Sequence, residues 1–90
     1  IVVANITDKH AEFAKKINET LKKDGFRCSL DLRNEKIGYK IRELIIAKIP
    51  YIVIIGDKEV SAGKISVREN DGTEHNLISV NDFLGKLRNN

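Results

Sequence analysis

Tyr51-Ile52-Val53-Ile54-Ile55 is an unbroken apolar run bracketed by Pro50 and Gly56. A strand without polar alternation must be covered on both faces, so it belongs in the middle of a parallel or mixed sheet. Two other strand-like segments precede it. Ile1 to Ile6 is short, apolar and β-branched. Phe26 to Leu32 alternates, with Cys28, Leu30 and Leu32 between polar residues. Helical spacing fills the intervals. Phe13, Ala14, Ile17 and Leu21 form one stripe, ended by Asp24-Gly25. Ile37, Ile41, Leu44, Ile45 and Ile49 form a second, ended before Pro50. Three strands joined by two helices predict a parallel sheet with right-handed crossovers.

The remainder has a different rhythm. Lys58 to Lys64 reads as a connection. Ile65-Ser66-Val67-Arg68 alternates as a strand, Asn70-Asp71-Gly72-Thr73 is a hairpin signal, and Glu74 to Ile78 returns as a weaker strand. Ser79 or Asn81 caps a last helix that packs through Val80, Phe83, Leu84 and Leu87. The expected fold is α/β: a mixed five-stranded sheet, its first three strands parallel and its end an antiparallel hairpin, flanked by three helices. Residues 1–90 make one domain. The first residue is Ile1 and the sequence contains no methionine, which suggests a piece of a longer chain.

Several functional classes fit poorly. Gly56 and Gly63-Lys64 have the wrong spacing for a phosphate loop, and Ile65 stands where Ser or Thr is required. No Gly-x-Gly-x-x-Gly follows a strand. His10 and His75 stand alone in sequence, which supports neither a metal site nor a Ser-His-Asp set. No apolar run approaches the ~20 residues of a membrane span. The single Cys28 reads as a small hydrophobe in a strand. Net charge is +3, from 16 basic and 13 acidic residues. That balance permits nucleic-acid binding without requiring it. A receiver-like signalling or protein-interaction module of the same architecture is the alternative. It would have acidic residues where Asn5 stands and would use Asp57 as phosphoryl acceptor.

In open α/β sheets, ligands bind outside the carboxyl ends of the parallel strands. Three loops reach that edge: Asn5 to Thr7, Asp31 to Lys36, and Gly56 to Glu59. Asn34 and Glu59 should therefore share one rim, with Arg68 near it if its strand lies beside the Tyr51–Ile55 strand. Asn34 suits the N-cap of the second helix. Gly38, inside the first turn, carries a propensity cost that close approach of a ligand to bare backbone would offset. Arg33, Lys36, Lys40 and Arg42 surround the spot and suit phosphates or base edges. Tyr39 and Tyr51 could stack on bases, but packing is the simpler role for both.

This stretch carries a resemblance. Asp31-Leu32-Arg33-Asn34-Glu35-Lys36-Ile37-Gly38, Lys40-Ile41-Arg42-Glu43, Lys48-Ile49-Pro50-Tyr51 and Gly56-Asp57-Lys58-Glu59 resemble the C-terminal anticodon-binding domains of threonyl-tRNA synthetases, within the class II synthetase anticodon-binding family. The likeness runs from Asn5-Ile6-Thr7-Asp8 to the last helix. It implies that Asn34, Glu59 and Arg68 read the second and third anticodon bases of threonine tRNA. It also implies supporting contacts from Lys36, Gly38 and Arg42. A catalytic domain of the same chain would use ATP and zinc to join threonine to tRNA, in a cytoplasmic homodimer. This domain would hold no cofactor or catalytic residue and bind neither DNA nor membrane. Two departures stand out. Leu44-Ile45-Ile46 is more apolar than usual, and the hairpin from Glu69 to His75 lacks the basic residues common there.

Overall fold

The computed structural model describes residues 1–89. Its strands are β1 (Val2–Asn5), β2 (Ser29–Asp31), β3 (Tyr51–Ile55), β4 (Ile65–Glu69) and β5 (Glu74–Ile78). Its helices are α1 (Ala11–Lys23), α2 (Ile37–Ile46), α3 (Asp57–Ala62) and α4 (Val80–Arg88). A short 3-10 turn, Asp8–His10, leads into α1. The sheet order is β2-β1-β3-β4-β5. β2, β1 and β3 are parallel; β4 and β5 are antiparallel additions. The predicted mixed sheet is thus present, with the apolar β3 at its centre.

One face of the sheet forms the main core. Val3, Val53, Ile55, Ile65 and Val67 pack there against Ala14, Ile17 and Leu21 of α1 and Phe83 and Leu84 of α4. Tyr51 meets Phe83 edge to face, with ring centroids 5.6 Å apart. Arg88 pairs with Asp24 and ties the end of α4 to the end of α1. The other face is covered by α2 over β1.

Three local expectations change. β2 is only three residues long, because it is an edge strand and pairs on one side alone, Ser29 to Asp31 lying beside Val2 to Ala4. α2 starts at Ile37, with Lys36 rather than Asn34 at its N-cap. The segment after Gly56 is a fourth helix, α3, not a loop. It is closed at its start by Glu59 and at its end by Gly63, which takes a left-handed conformation.

Helix ends follow known chemistry. Gly25 has φ +93°, and the N–H groups of Gly25 and Phe26 reach back to the carbonyls of Lys22 and Leu21. This pattern satisfies orphan carbonyls at a helix terminus. Ser79 caps α4 by accepting from the Asp82 N–H at 3.0 Å. α2 ends the same way as α1, but Lys48 occupies the left-handed position at φ +61°. A side chain there costs about 1–2 kcal/mol. Lys48→Gly should therefore raise stability by about 1 kcal/mol, measured as a higher urea midpoint with an unchanged slope.

Candidate nucleic-acid interface

The carboxyl ends of β1 and β2 are organised by one buried ammonium. Lys40 is 1% exposed. Its Nζ donates to the Asn5 carbonyl (3.0 Å), the Asn5 Oδ1 (3.0 Å) and the Asp31 carbonyl (3.1 Å). Asn5 in turn donates through Nδ2 to the Thr7 carbonyl at 2.8 Å. So α2 is pinned to the ends of β1 and β2. Burial pulls the Lys40 pKa below its ordinary value, and the Asp31 carboxylate opposes that pull.

A second pin lies just outside. Arg33 grips Asp31 through two parallel bonds, Nε to Oδ1 and Nη2 to Oδ2, both 2.9 Å. Its Nη1 lies 2.6 Å from Glu43 on α2. The Arg33 bonds, before any other cause, hold the Asp31 carboxyl below its ordinary value of 3.8. The same carboxylates push the Arg33 guanidinium above its usual range. Glu43 also raises the Tyr39 hydroxyl pKa.

The third loop is built by Glu59. Its Oε1 accepts from the Gly56 N–H at 2.7 Å, and its Oε2 accepts from the Ser66 hydroxyl at 2.8 Å. The first bond is half of a capping box, closing the amino end of α3. The second ties α3 to β4. Beside it, the buried His10 joins the first and third loops. Its Nε2 lies 2.7 Å from Asp57 Oδ1, and its Nδ1 accepts from the Thr7 N–H at 3.2 Å. The His10 bond holds Asp57 below the usual carboxylate range.

The predicted residues fall into three groups. Asn34 and Lys36 are exposed on the β2–α2 turn, and Gly38 and Arg42 are exposed one turn apart on α2. A Cβ on Gly38 would meet nothing within 4 Å, so no packing inside the domain requires glycine there. α2 also opens without a capping side chain or an acidic residue in its first turn. Glu59 stands after β3, two strands from β2, so the two turns are separated by about 10 Å along the edge. Arg68 is set back. It pairs with Ile52, whereas Ser66 pairs with Ile54 nearer the carboxyl edge. Two residues of strand place it roughly 7 Å behind Ser66 on the same face. It donates to Glu74 at 3.1 Å.

The expected basic cluster does not converge. Lys40 is internal, Arg33 is held by two carboxylates, and Lys48 lies at the far end of α2. Lys36 and Arg42 are left facing solvent at the rim. Neither histidine is alone: His10 pairs with Asp57, and His75 lies 2.7 Å from Glu69. Tyr51 packs as expected, while Tyr39 is 50% exposed. Ser66 was not foreseen as part of the site, and neither were the inward role of Lys40 and the capping role of Glu59. The roles of Lys40 and Glu59 had a visible signal. Lys40 falls within the apolar stripe of α2, between Ile37 and Leu44, and Glu59 stands three residues after Gly56, at capping-box spacing.

Among the described residues, no group of three or more His, Cys, Asp or Glu is placed to hold a metal ion. No helix among them is long and apolar enough to cross a membrane.

The family model for the anticodon binding domain matches residues 1–90. The chain is similar to a threonine–tRNA ligase of Clostridium botulinum (strain Langeland), 47% identical over 89 residues, which are 99% of this chain and 14% of that protein. It is similar to the threonine–tRNA ligase of Halorhodospira halophila, 44% identical over 88 residues, 98% of this chain and 14% of that protein. A crystal structure of the RNA binding domain of threonyl-tRNA synthetase from Cryptosporidium parvum superposes with a TM-score of 0.93 at 28% identity, covering 98% of this chain and 22% of that one. The chain thus spans about one seventh of the length of these ligases, 14%.

Two predictions concern the frame of this edge. Lys40→Met keeps the volume but leaves three acceptors facing an apolar side chain. It should cost on the order of 3 kcal/mol, read from chemical denaturation. Asp31 is depressed in the folded state, so its contribution is full above pH 3.8 and is lost as pH falls through its lower folded value. Asp31→Asn should therefore flatten the fall of the melting temperature with pH in that acidic window.

Proposed function

We propose a function from one premise: the chain belongs to the anticodon-binding domain family, whose model matches all of residues 1–90. It binds the anticodon loop of threonine tRNA and contributes affinity and discrimination to a threonine–tRNA ligase of which it is one part. The observation that carries this reading is the meeting, on one sheet edge, of the open α2 terminus with exposed Asn34, Lys36 and Gly38 and the fixed carboxylate of Glu59. The threonine specificity is supported by relatives at 44% and 47% identity.

The chemistry suits unpaired RNA. Anticodon bases expose their Watson–Crick edges, the usual target of sequence-specific RNA recognition. Asn34 offers a donor and an acceptor together, and the Glu59 carboxylate accepts from ring or amino hydrogens. Each Glu59 oxygen has one bond within the domain and keeps acceptor capacity for a base. Because those bonds already fix its rotamer, little ordering remains to be done on binding. Lys36 and Arg42 face solvent where the RNA backbone would run, and Gly38 lets that backbone approach α2 closely. Arg68 spends one N–H on Glu74 and keeps other donors that RNA could use. Discrimination follows from desolvation: a wrong base leaves buried polar groups unpaired.

Threonine activation with ATP, the zinc site, the dimer contacts and the cytoplasmic setting belong to the proposed whole enzyme, and no step of that chemistry runs through these residues. A receiver-like role would need acidic residues at the end of β1, and Asn5 stands there instead, bonded to Lys40.

Affinity measurements with anticodon stem-loops test the reading. Glu59→Gln keeps an acceptor for the α3 cap yet replaces one carboxylate oxygen by a donor. It should weaken the cognate loop by about 1–3 kcal/mol and relax discrimination at one base. Equal loss toward every loop would contradict base reading. Lys36→Ala should weaken all loops alike and lower the slope of log K against log salt by roughly 0.7; an unchanged slope would remove Lys36 from the phosphate contacts.

A further inference from the structure

The β4–β5 pairing breaks register between Ile65, which faces Ile78, and Val67, which faces His75. Leu77 lies in that bulge with φ +52°. Left-handed backbone is rare for a residue like leucine, and bulges and such outliers concentrate at functional sites. Here the strain comes with exposure: Leu77 is 38% exposed and Ile6, across the concavity, 39%. Ile6 rests directly on the bare backbone of Gly56, where an added Cβ would lie 2.5 Å from its Cδ1. Ile6, Ile54 and Leu77 thus form apolar walls around Glu59 and Ser66. Two unfavourable features therefore coincide at Leu77.

The bulge is latched to the carboxylate. The Leu77 N–H donates to Ser66 Oγ at 3.2 Å, and the Ser66 hydroxyl donates its one hydrogen to Glu59 Oε2 at 2.8 Å. A single hydroxyl thus sets both the aim of Glu59 and the place of Leu77.

We propose that Leu77 packs against the face of the base whose edge Glu59 reads, and that Ser66 is the positioning residue for both. This rests on the anticodon reading above. Unstacked bases lose their neighbours on entering such a site, and a protein surface that covers their faces restores part of that contact.

The test measures Kd for the cognate anticodon stem-loop and for loops changed at each anticodon base, beside the melting temperature. Leu77→Asn fits left-handed backbone but removes the apolar wall. It should bind the cognate loop about tenfold more weakly, roughly the effect of losing one good contact, with a melting temperature equal to or above the original. A purely structural residue would move both in the same direction. Ser66→Ala should relax discrimination at the same base as Glu59→Gln, add nothing on top of Glu59→Gln, and be rescued by Ser66→Thr. If Glu59→Gln loses discrimination while Leu77→Asn and Ser66→Ala bind like the original chain, this proposal is wrong and the base-reading assignment stands. If Glu59→Gln itself binds every loop unchanged, the assignment fails and the proposal fails with it.

Discussion

The Lys40 ammonium is the interaction on which the edge depends. Parallel strands end in carbonyls that have no ladder partner, and those of Asn5 and Asp31 end inside the protein. Unsatisfied, each would cost about 1–3 kcal/mol. Lys40 meets both, and the Asn5 side chain, with its three hydrogens. An apolar residue at position 40 could pack there but could not bond. The desolvation of the charge opposes this arrangement and pulls its pKa down. What results is geometric: α2 cannot slide or rotate relative to β1 and β2 without breaking bonds to a buried cation. The turn from Arg33 to Lys36, which joins β2 to α2, is fixed at both of its ends.

That arrangement changes what a mildly basic chain offers to RNA. Of the five basic residues between Arg33 and Lys48, three serve the fold or lie elsewhere. A site left with Lys36 and Arg42 cannot rely on charge alone, and its discrimination must come from groups of fixed geometry. Glu59 is such a group because the same bonds that cap α3 and bind Ser66 hold its carboxylate still. Under the proposed anticodon reading, folding and recognition use the same contacts, so substitutions that keep the cap are the informative ones.

The parallel order of β1, β2 and β3 was legible because strand runs and helix stripes alternate, and few topologies satisfy that alternation. The hairpin was legible in Asn70-Asp71-Gly72-Thr73, whose Gly72 takes φ +96°. The start of α2 was not, since Asn34 is a good cap by type, yet the turn runs on through Lys36 and the helix begins at Ile37. The fourth helix was hidden by its length, six residues. Short helices show little periodicity, and their cap spacing is the better signal. The inward turn of Lys40 and the pairing of His10 with Asp57, 47 positions apart, depend on topology, which charge counting along the chain does not see. Leu77 had no signal at all: a bulge arises from the mismatch of two strands, not from either one.

Backbone amide shifts of the labelled chain, titrated with two anticodon stem-loops, test the central claim most directly. One loop carries GU at the second and third anticodon positions and the other has those bases exchanged. The account predicts shifts centred on Asn34 to Gly38 and on Gly56 to Glu59 with the GU loop, and weak shifts at those sites with the other. Equal, salt-sensitive shifts spread over the surface lysines with both loops would contradict it, leaving a weakly basic domain that does not read bases.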